Sequence, residues 1–270
     1  MRLAITHRTR YDFEEPVVHA LQRLRLTPKS TSGQSVIEWK MTMEGARCEL
    51  EYEDHNCNTT ALLSVEPGVR QVEIECRGVI DTDDQAGVIG RHAGHLPIWH
   101  FAGQSSLTKP GSAMKSLVSG LSADRDRLQM LHELSSRVAD CVKYETGFTT
   151  SETTAEEAVA AGHGVCQDHA HIFIGCARHI GVPARYVSGY LKMDDRTMQE
   201  AGHAWAEAFV PELGWVGFDI SNGISPDARY VRVATGQDYK EAAPITGMSF
   251  GSNDDRVSVE LEVMQQTVAQ

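Results

Sequence analysis

The sequence predicts an α+β fold in two parts. An antiparallel, sandwich-like β region covers residues 1–105, a linker covers 106–122, and a helix-and-sheet domain covers 123–270. Three observations carry this prediction. Residues 1–100 break into short alternating stretches separated by Gly, Pro, Asn and Asp. Residues 123–180 place apolar side chains at helical spacing, and alternation returns after Pro183.

Taken in order, the β region opens with 3–11 (LAITHRTRY) and continues with 18–26, whose end LQRLRL alternates until Pro28 stops it. Stretches 36–43, 48–54, 59–65 and 71–80 complete the series. Residues 103–122 are rich in Gly and Ser and contain a Pro-Gly step, which places the boundary there. Ser122 is expected to cap a helix whose apolar side carries Leu128, Leu131, Leu134 and Val138. Thr154 begins a helical turn with Ala155, Ala158 and Val159, running into GHGVCQDHAH at 162–171. From there Cys166, Ala170, Phe173, Ile174 and Ala177 share one helical face, and Gly181 and Pro183 end the helix. Strands are expected at 184–191, 203–210, 214–220 and 257–263, forming an antiparallel sheet against which helix 165–180 packs.

The cysteine is the chemical centre of this pattern. A thiol at a helix start meets free N–H groups and the positive end of the dipole, which stabilise a thiolate. AGHAWAEAFV (201–210) and GWVGFD (214–219) then supply a histidine and a carboxylate on alternating stretches. The order Cys166, His203, Asp219 gives a nucleophile, a base and a group that orients the base. Strand geometry constrains it. If Val210 pairs with Trp215, Asp219 faces away from His203. If Phe209 pairs with Trp215, Asp219 lies opposite Trp205 and diagonal to His203, roughly 7–8 Å away and within side-chain reach. The chemistry therefore requires an odd loop or a bulge.

GVCQDHAHIFIGCARHIGVPARYVSGY followed by GHAWAEAFVPELGWVGFDISNG resembles the core of the bacterial transglutaminase-like cysteine protease family, with its GxCxDxA helix start, HAW strand and GWxxFD strand. The likeness spans residues 123–245, and upstream Tyr11, Pro16 and Arg25-Leu26-Thr27-Pro28 are similar to that family's N-terminal β region. Its aspartate-to-asparagine turn is matched only loosely, by residues 54–58. The resemblance implies a papain-like catalytic domain and acyl transfer on amide bonds through a thioester, as a cysteine peptidase or amidase. It leaves open a protein-crosslinking transglutaminase and an idle scaffold that binds peptides in the same cleft. The Cys166 N–H is a candidate oxyanion donor, with Gln104, Tyr144 and Trp205 as further candidates in the cleft. Gly202 stands where serine commonly precedes the HAW histidine, and Ile220-Ser221 where Pro-Thr commonly follows the aspartate.

Composition bounds the alternatives. A formal charge of −12 argues against nucleic acid and anionic membranes, and no apolar run is long enough for a span. The N-terminal residues lack an apolar signal region, and the six cysteines show no paired spacing, so a cytoplasmic protein with reduced thiols is expected. Cys176 reads as packing. His163, His169, His171 and His179 lie near Cys166, but His169 and His171 fall on different helix faces and there is no CxxC pair, so no metal or cofactor is expected. His92, His95 and His100 read as a surface loop, and Asp81 to Asp84 as a solvated turn without calcium-loop glycine or glutamate. The expected partner is a peptide or small amide; oligomeric state is unreadable.

Overall fold

The computed structural model describes residues 1–121, 126–250 and 255–266. In chain order the strands are β1 (Arg2–Phe13), β2 (His19–Thr27), β3 (Gln34–Glu44), β4 (Ala46–Glu53), β5 (Thr59–Val65), β6 (Gln71–Thr82) and β7 (Val88–Gly90). The helical middle follows: α1 (Ser112–Leu117), α2 (Arg127–Cys141), β8 (Lys143–Tyr144), α3 (Ala155–Ala161), β9 (His163–Gly164) and α4 (Cys166–His179). Then come β10 (Ala184–Leu191), β11 (Met198–Gln199), β12 (His203–Val210), β13 (Gly214–Phe218), β14 (Tyr230–Gly236), α5 (Tyr239–Ala242), β15 (Ile245–Phe250) and β16 (Asp255–Gln265).

The fold is mixed α+β with antiparallel principal sheets, as the alternation predicts. One N-terminal sheet runs β11-β16-β1-β6-β3 and the other β15-β2-β5-β4. They face each other through Leu24, Leu26, Leu63 and Val65 on one side and Val72, Ile74 and Cys76 on the other. Strand alternation explains this: in β6 every second residue from Val72 to Cys76 is buried, and the residues between are half-exposed.

The catalytic-side sheet runs β14-β10-β12-β13-β7. Helix α4 packs on it, surrounded by α1, α2 and α3, with Phe173, Ile174 and Ala177 fully buried against Ala206 and Phe218. α2 carries Leu131, Leu134 and Val138 inward as its spacing predicts. Its N-cap is Asp126, which accepts the Gln129 N–H at 2.8 Å; Ser122, the expected cap, lies outside the described residues.

Two expectations are corrected by the structure. Residues 257–263 form a strand but do not join the catalytic-side sheet: β16 pairs along the whole of β1. β15, which the sequence reading did not anticipate, closes onto β2. Alternation gives a strand its two faces and says nothing of its neighbour, so the destination was free to be distant. The 106–122 segment is not a bare linker either, since it contains α1, whose Met114 is fully buried in the α4 core. In exchange, β7 from the N-terminal part forms the edge beside β13. The two parts are further joined by His7, whose Nδ1 lies 2.8 Å from the Tyr190 hydroxyl.

Candidate active site

Cys166 is the first residue of α4 and is half-buried. Asp168 fixes that start: its Oδ2 accepts the Val165 N–H at 2.8 Å and the Thr149 hydroxyl at 2.7 Å. Its Oδ1 is buried with no partner among the described residues. Burial raises the Asp168 carboxyl despite these two donors. Gly164 is required beside it, because a Cβ there would come within 2.7 Å of Asp168 Cβ.

His203 opens β12 opposite Gly189 of β10. Asp219 immediately follows β13, in which Phe209 pairs with Trp215 and Ala206 with Phe218. This is the odd connection that the strand geometry requires, and it leaves Asp219 level with Trp205. The result is a direct contact: His203 Nε2 lies 2.6 Å from Asp219 Oδ2. Cys166 lies close enough to the same ring to favour its protonated form, and the two residues line one cavity. Burial disfavours the imidazolium, but hydrogen bonds to Asp219 and Cys166, with their charges, raise His203 to about 10.

Asp219 is fully buried, and its Oδ2 also accepts the Tyr230 hydroxyl at 2.6 Å and Asn222 Nδ2 at 2.7 Å. Burial pushes its carboxyl up, while His203, Tyr230 and Asn222 outweigh this and hold it low. Asn222 sits in the turn after the aspartate, where an Asn-Gly step is readable as a turn signal. Tyr230 has no local signal; β14 brings it there.

The remaining candidates separate. Trp205 does not line the cleft. It is buried behind His203, the ring centroids 6.3 Å apart, and meets Tyr230 edge-on at 5.5 Å. It screens the His203–Asp219 pair from water, and only a glycine at 189 admits it, since a Cβ there would come 2.7 Å from its ring. Gln104 is spent elsewhere, donating to the Gly175 carbonyl at 2.8 Å and accepting from Thr108 Oγ1 at 3.0 Å. Tyr144 is exposed near the site, its phenol raised by partial burial and by the charge of Cys166. His169 donates from Nε2 to the Val142 carbonyl at 2.9 Å, and its Nδ1 lies 2.8 Å from Ser221 Oγ. Ser221, at the departure from the Pro-Thr pattern, thus ties the Asp219 turn to α4.

A cavity of about 230 Å³ lies directly on Cys166 and His203. Its walls come from both parts of the chain: Val165, Tyr186 and Tyr239 on one side, His7, Arg25 and Leu26 on the other. The sequence offered no signal for the N-terminal contribution. Burial lowers His7 to about 4, so that wall is a neutral ring.

Among the described residues, no helix is long and apolar enough to cross a membrane. Residues 115–220 match the transglutaminase-like superfamily, and residues 3–81 match the bacterial transglutaminase-like N-terminal region. The chain is 28% identical to the Mycobacterium tuberculosis protein Rv2569c over 284 residues, covering 95% of this chain and 90% of that one. It is 26% identical to ML0607 of Mycobacterium leprae over 275 residues, covering 97% and 98%. The crystal structure named "Putative Cysteine Protease from Cytophaga hutchinsonii" superposes with a TM-score of 0.77 at 20% identity, covering all of this chain and 92% of that one, and shares its fold. The chain thus carries, in succession, the bacterial transglutaminase-like N-terminal region over 3–81 and the transglutaminase-like superfamily core over 115–220.

Proposed function

We propose that this chain is a thiol enzyme that transfers acyl groups from amides, acting as a peptidase or amidase, with Cys166, His203 and Asp219 as its catalytic residues. The observation that carries the reading is the single imidazole held at 2.6 Å by a buried carboxylate and lining, with the Cys166 thiol at the start of α4, one cavity. The arrangement supplies each group that thioester chemistry needs.

The thiol proton passes to His203, and the sulfur attacks the amide carbon. The carbonyl π electrons move to oxygen, where the Cys166 N–H at the free end of α4 donates a hydrogen bond. Collapse breaks the C–N bond as His203 returns its proton to the departing amine. Asp219 holds the ring and stabilises its positive form. Water, deprotonated by His203, then attacks the thioester, giving a carboxylic acid and the free thiol. The cavity of about 230 Å³ is smaller than the roughly 300–1,000 Å³ of sites that enclose a drug-sized ligand, so it takes one end of a substrate.

The test is a panel of activated esters and amides, with mass spectrometry for an acyl group on Cys166 and added lysine-type amine as competitor. Wild type should form the acyl-enzyme and release acid, whereas Cys166→Ala should do neither. Amide product in place of acid would assign the crosslinking alternative. Equal turnover by the two proteins would leave the peptide-binding scaffold.

A further inference from the structure

A second cluster of reactive side chains lies away from this site. Glu53 ends β4, Cys57 sits in the β4–β5 turn, and His95 lies in the loop after β7. Their carboxylate, thiol and imidazole ligand atoms all lie within 4.8 Å of one another, with His95 Nε2 3.4 Å from Glu53 Oε1. The turn that presents the thiol is rigid. Asp54 accepts the Cys57 N–H on its carbonyl at 2.8 Å and the Asn56 and Asn58 N–H groups on Oδ1, each at 2.9 Å.

Cys57 has φ of 58°, a conformation that favours glycine or asparagine. The backbone therefore gives no reason for a cysteine at that position, whereas a use for its sulfur would. The loop bearing His95 already rests against the thiol: a Cβ on Gly94 would lie 3.7 Å from Cys57 Sγ. All three side chains line one cavity of about 790 Å³, whose walls also include Lys29, Arg185 and Arg232.

We propose that Glu53, Cys57 and His95 bind a zinc-class divalent cation, with a fourth coordination position open to this cavity. The donor set decides the metal. Thiolate, imidazole and carboxylate together suit zinc, whereas calcium and magnesium require oxygen ligands. Zinc bonds of about 2.0–2.3 Å bring the ligand atoms of a tetrahedral site to roughly 3–4 Å from each other. The required closure of the 4.8 Å cluster is small, and the exposed Glu53 and His95 side chains are free to make it. On binding, the Cys57 proton leaves to solvent, and thiolate plus carboxylate balance the two positive charges. The bound ion would pin the β4–β5 turn to the loop following β7, the strand that the N-terminal part lends to the catalytic-side sheet. In the sequence the three residues lie too far apart to read as a ligand motif, and His95 is legible only as part of a histidine-rich loop.

Titration of the whole protein with Co²⁺, an optical stand-in for zinc, tests the site. The expected result is one Co²⁺ per chain, with a thiolate-to-cobalt charge-transfer band and the intense visible bands of four-coordination, all abolished by added Zn²⁺. Cys57→Gly suits the left-handed turn and should stay folded while losing the band. Glu53→Gln and His95→Ala should weaken binding by roughly 10–100-fold or more. Cys166→Ala removes the thiol beside His203 and should leave the band intact. Zn²⁺ should raise the Tm of wild type and Cys166→Ala but not that of Cys57→Gly. A band that survives Cys57→Gly and disappears in Cys166→Ala would move the metal to the other thiol and overturn the proposal, as would the absence of any charge-transfer band in wild type.

Discussion

At the residue scale, His203 stands between two acids and should determine how activity depends on pH. Its folded value of about 10 lies above the ordinary 6.5 because Asp219 and Cys166 together outweigh its burial. A raised value means that the ring stays protonated through neutral pH and loses its charge as pH rises through the folded value. The alkaline limb of turnover should therefore fall well above 6.5, and Asp219→Asn should move it down toward 6.5; a limb that stays in place in that variant would count against the coupling. In rate, Cys166→Ala and His203→Ala should abolish acyl transfer. Asp219→Asn costs about 10⁴ in a serine triad, and a thiol depends less on its base, so a smaller loss of roughly 10–10³ is expected. Circular dichroism of each variant separates these losses from unfolding. Cys76 and Cys176 offer a contrast, since burial pushes both thiols to about 12. Limiting iodoacetamide, followed by peptide mass spectrometry, should modify Cys166 well ahead of either.

At the element scale, the site depends on how β10, β12 and β14 are held in register. Glu207 of β12 is fully buried between Arg185, opposite it on β10 and bonded at 2.6 Å, and Arg232 of β14, bonded at 2.7 Å. Burial pushes the Glu207 carboxyl up, but the two guanidinium groups outweigh this and hold it at about 2. Its contribution to stability is thus present above the ordinary 4.5 and lost as pH falls through about 2. Glu207→Gln would leave buried charge uncompensated and should cost about 3–5 kcal/mol, measurable by urea unfolding at neutral pH. An unchanged midpoint would show that the three strands are held by packing alone. These elements also show what the sequence could and could not tell. The alternation of HAWAEAFV and GWVGFD, joined to the demand that Asp219 reach His203, narrowed the connection to an odd loop or a bulge, and the observed Phe209–Trp215 pairing is the odd one. Tyr230, Trp205 and Gln104 were not legible in the same way. Tyr230 meets Trp205 from another strand and Gln104 reaches Gly175 on α4, and a side chain's residue type does not state which such neighbour it will meet.

At the scale of the whole molecule, the cavity over Cys166 has walls from both parts, and the parts are interlocked by exchanged strands. A fragment of residues 1–105 keeps the alternation of a sandwich but lacks β16 beside β1 and β15 beside β2. Two long edges would then be open, and such edges invite pairing between chains. That fragment should aggregate or remain largely unfolded, as judged by light scattering and amide hydrogen exchange, and adding the peptide 245–266 in trans should improve its protection. A monomeric, well-protected fragment would show that the first strands are self-sufficient.

The same interlock governs the order of events during synthesis. Chains emerge from the ribosome amino end first, and an early domain usually folds before a later one is made. Here β1 and β2 emerge before the helical core, yet β15 and β16, the strands that cover them, emerge after all of it. The nascent sandwich must wait, edges open, while α4 and its sheet take shape, and the groove over the thiol is walled on both sides only after the segment carrying Tyr239 and Pro244 has followed the helical core out.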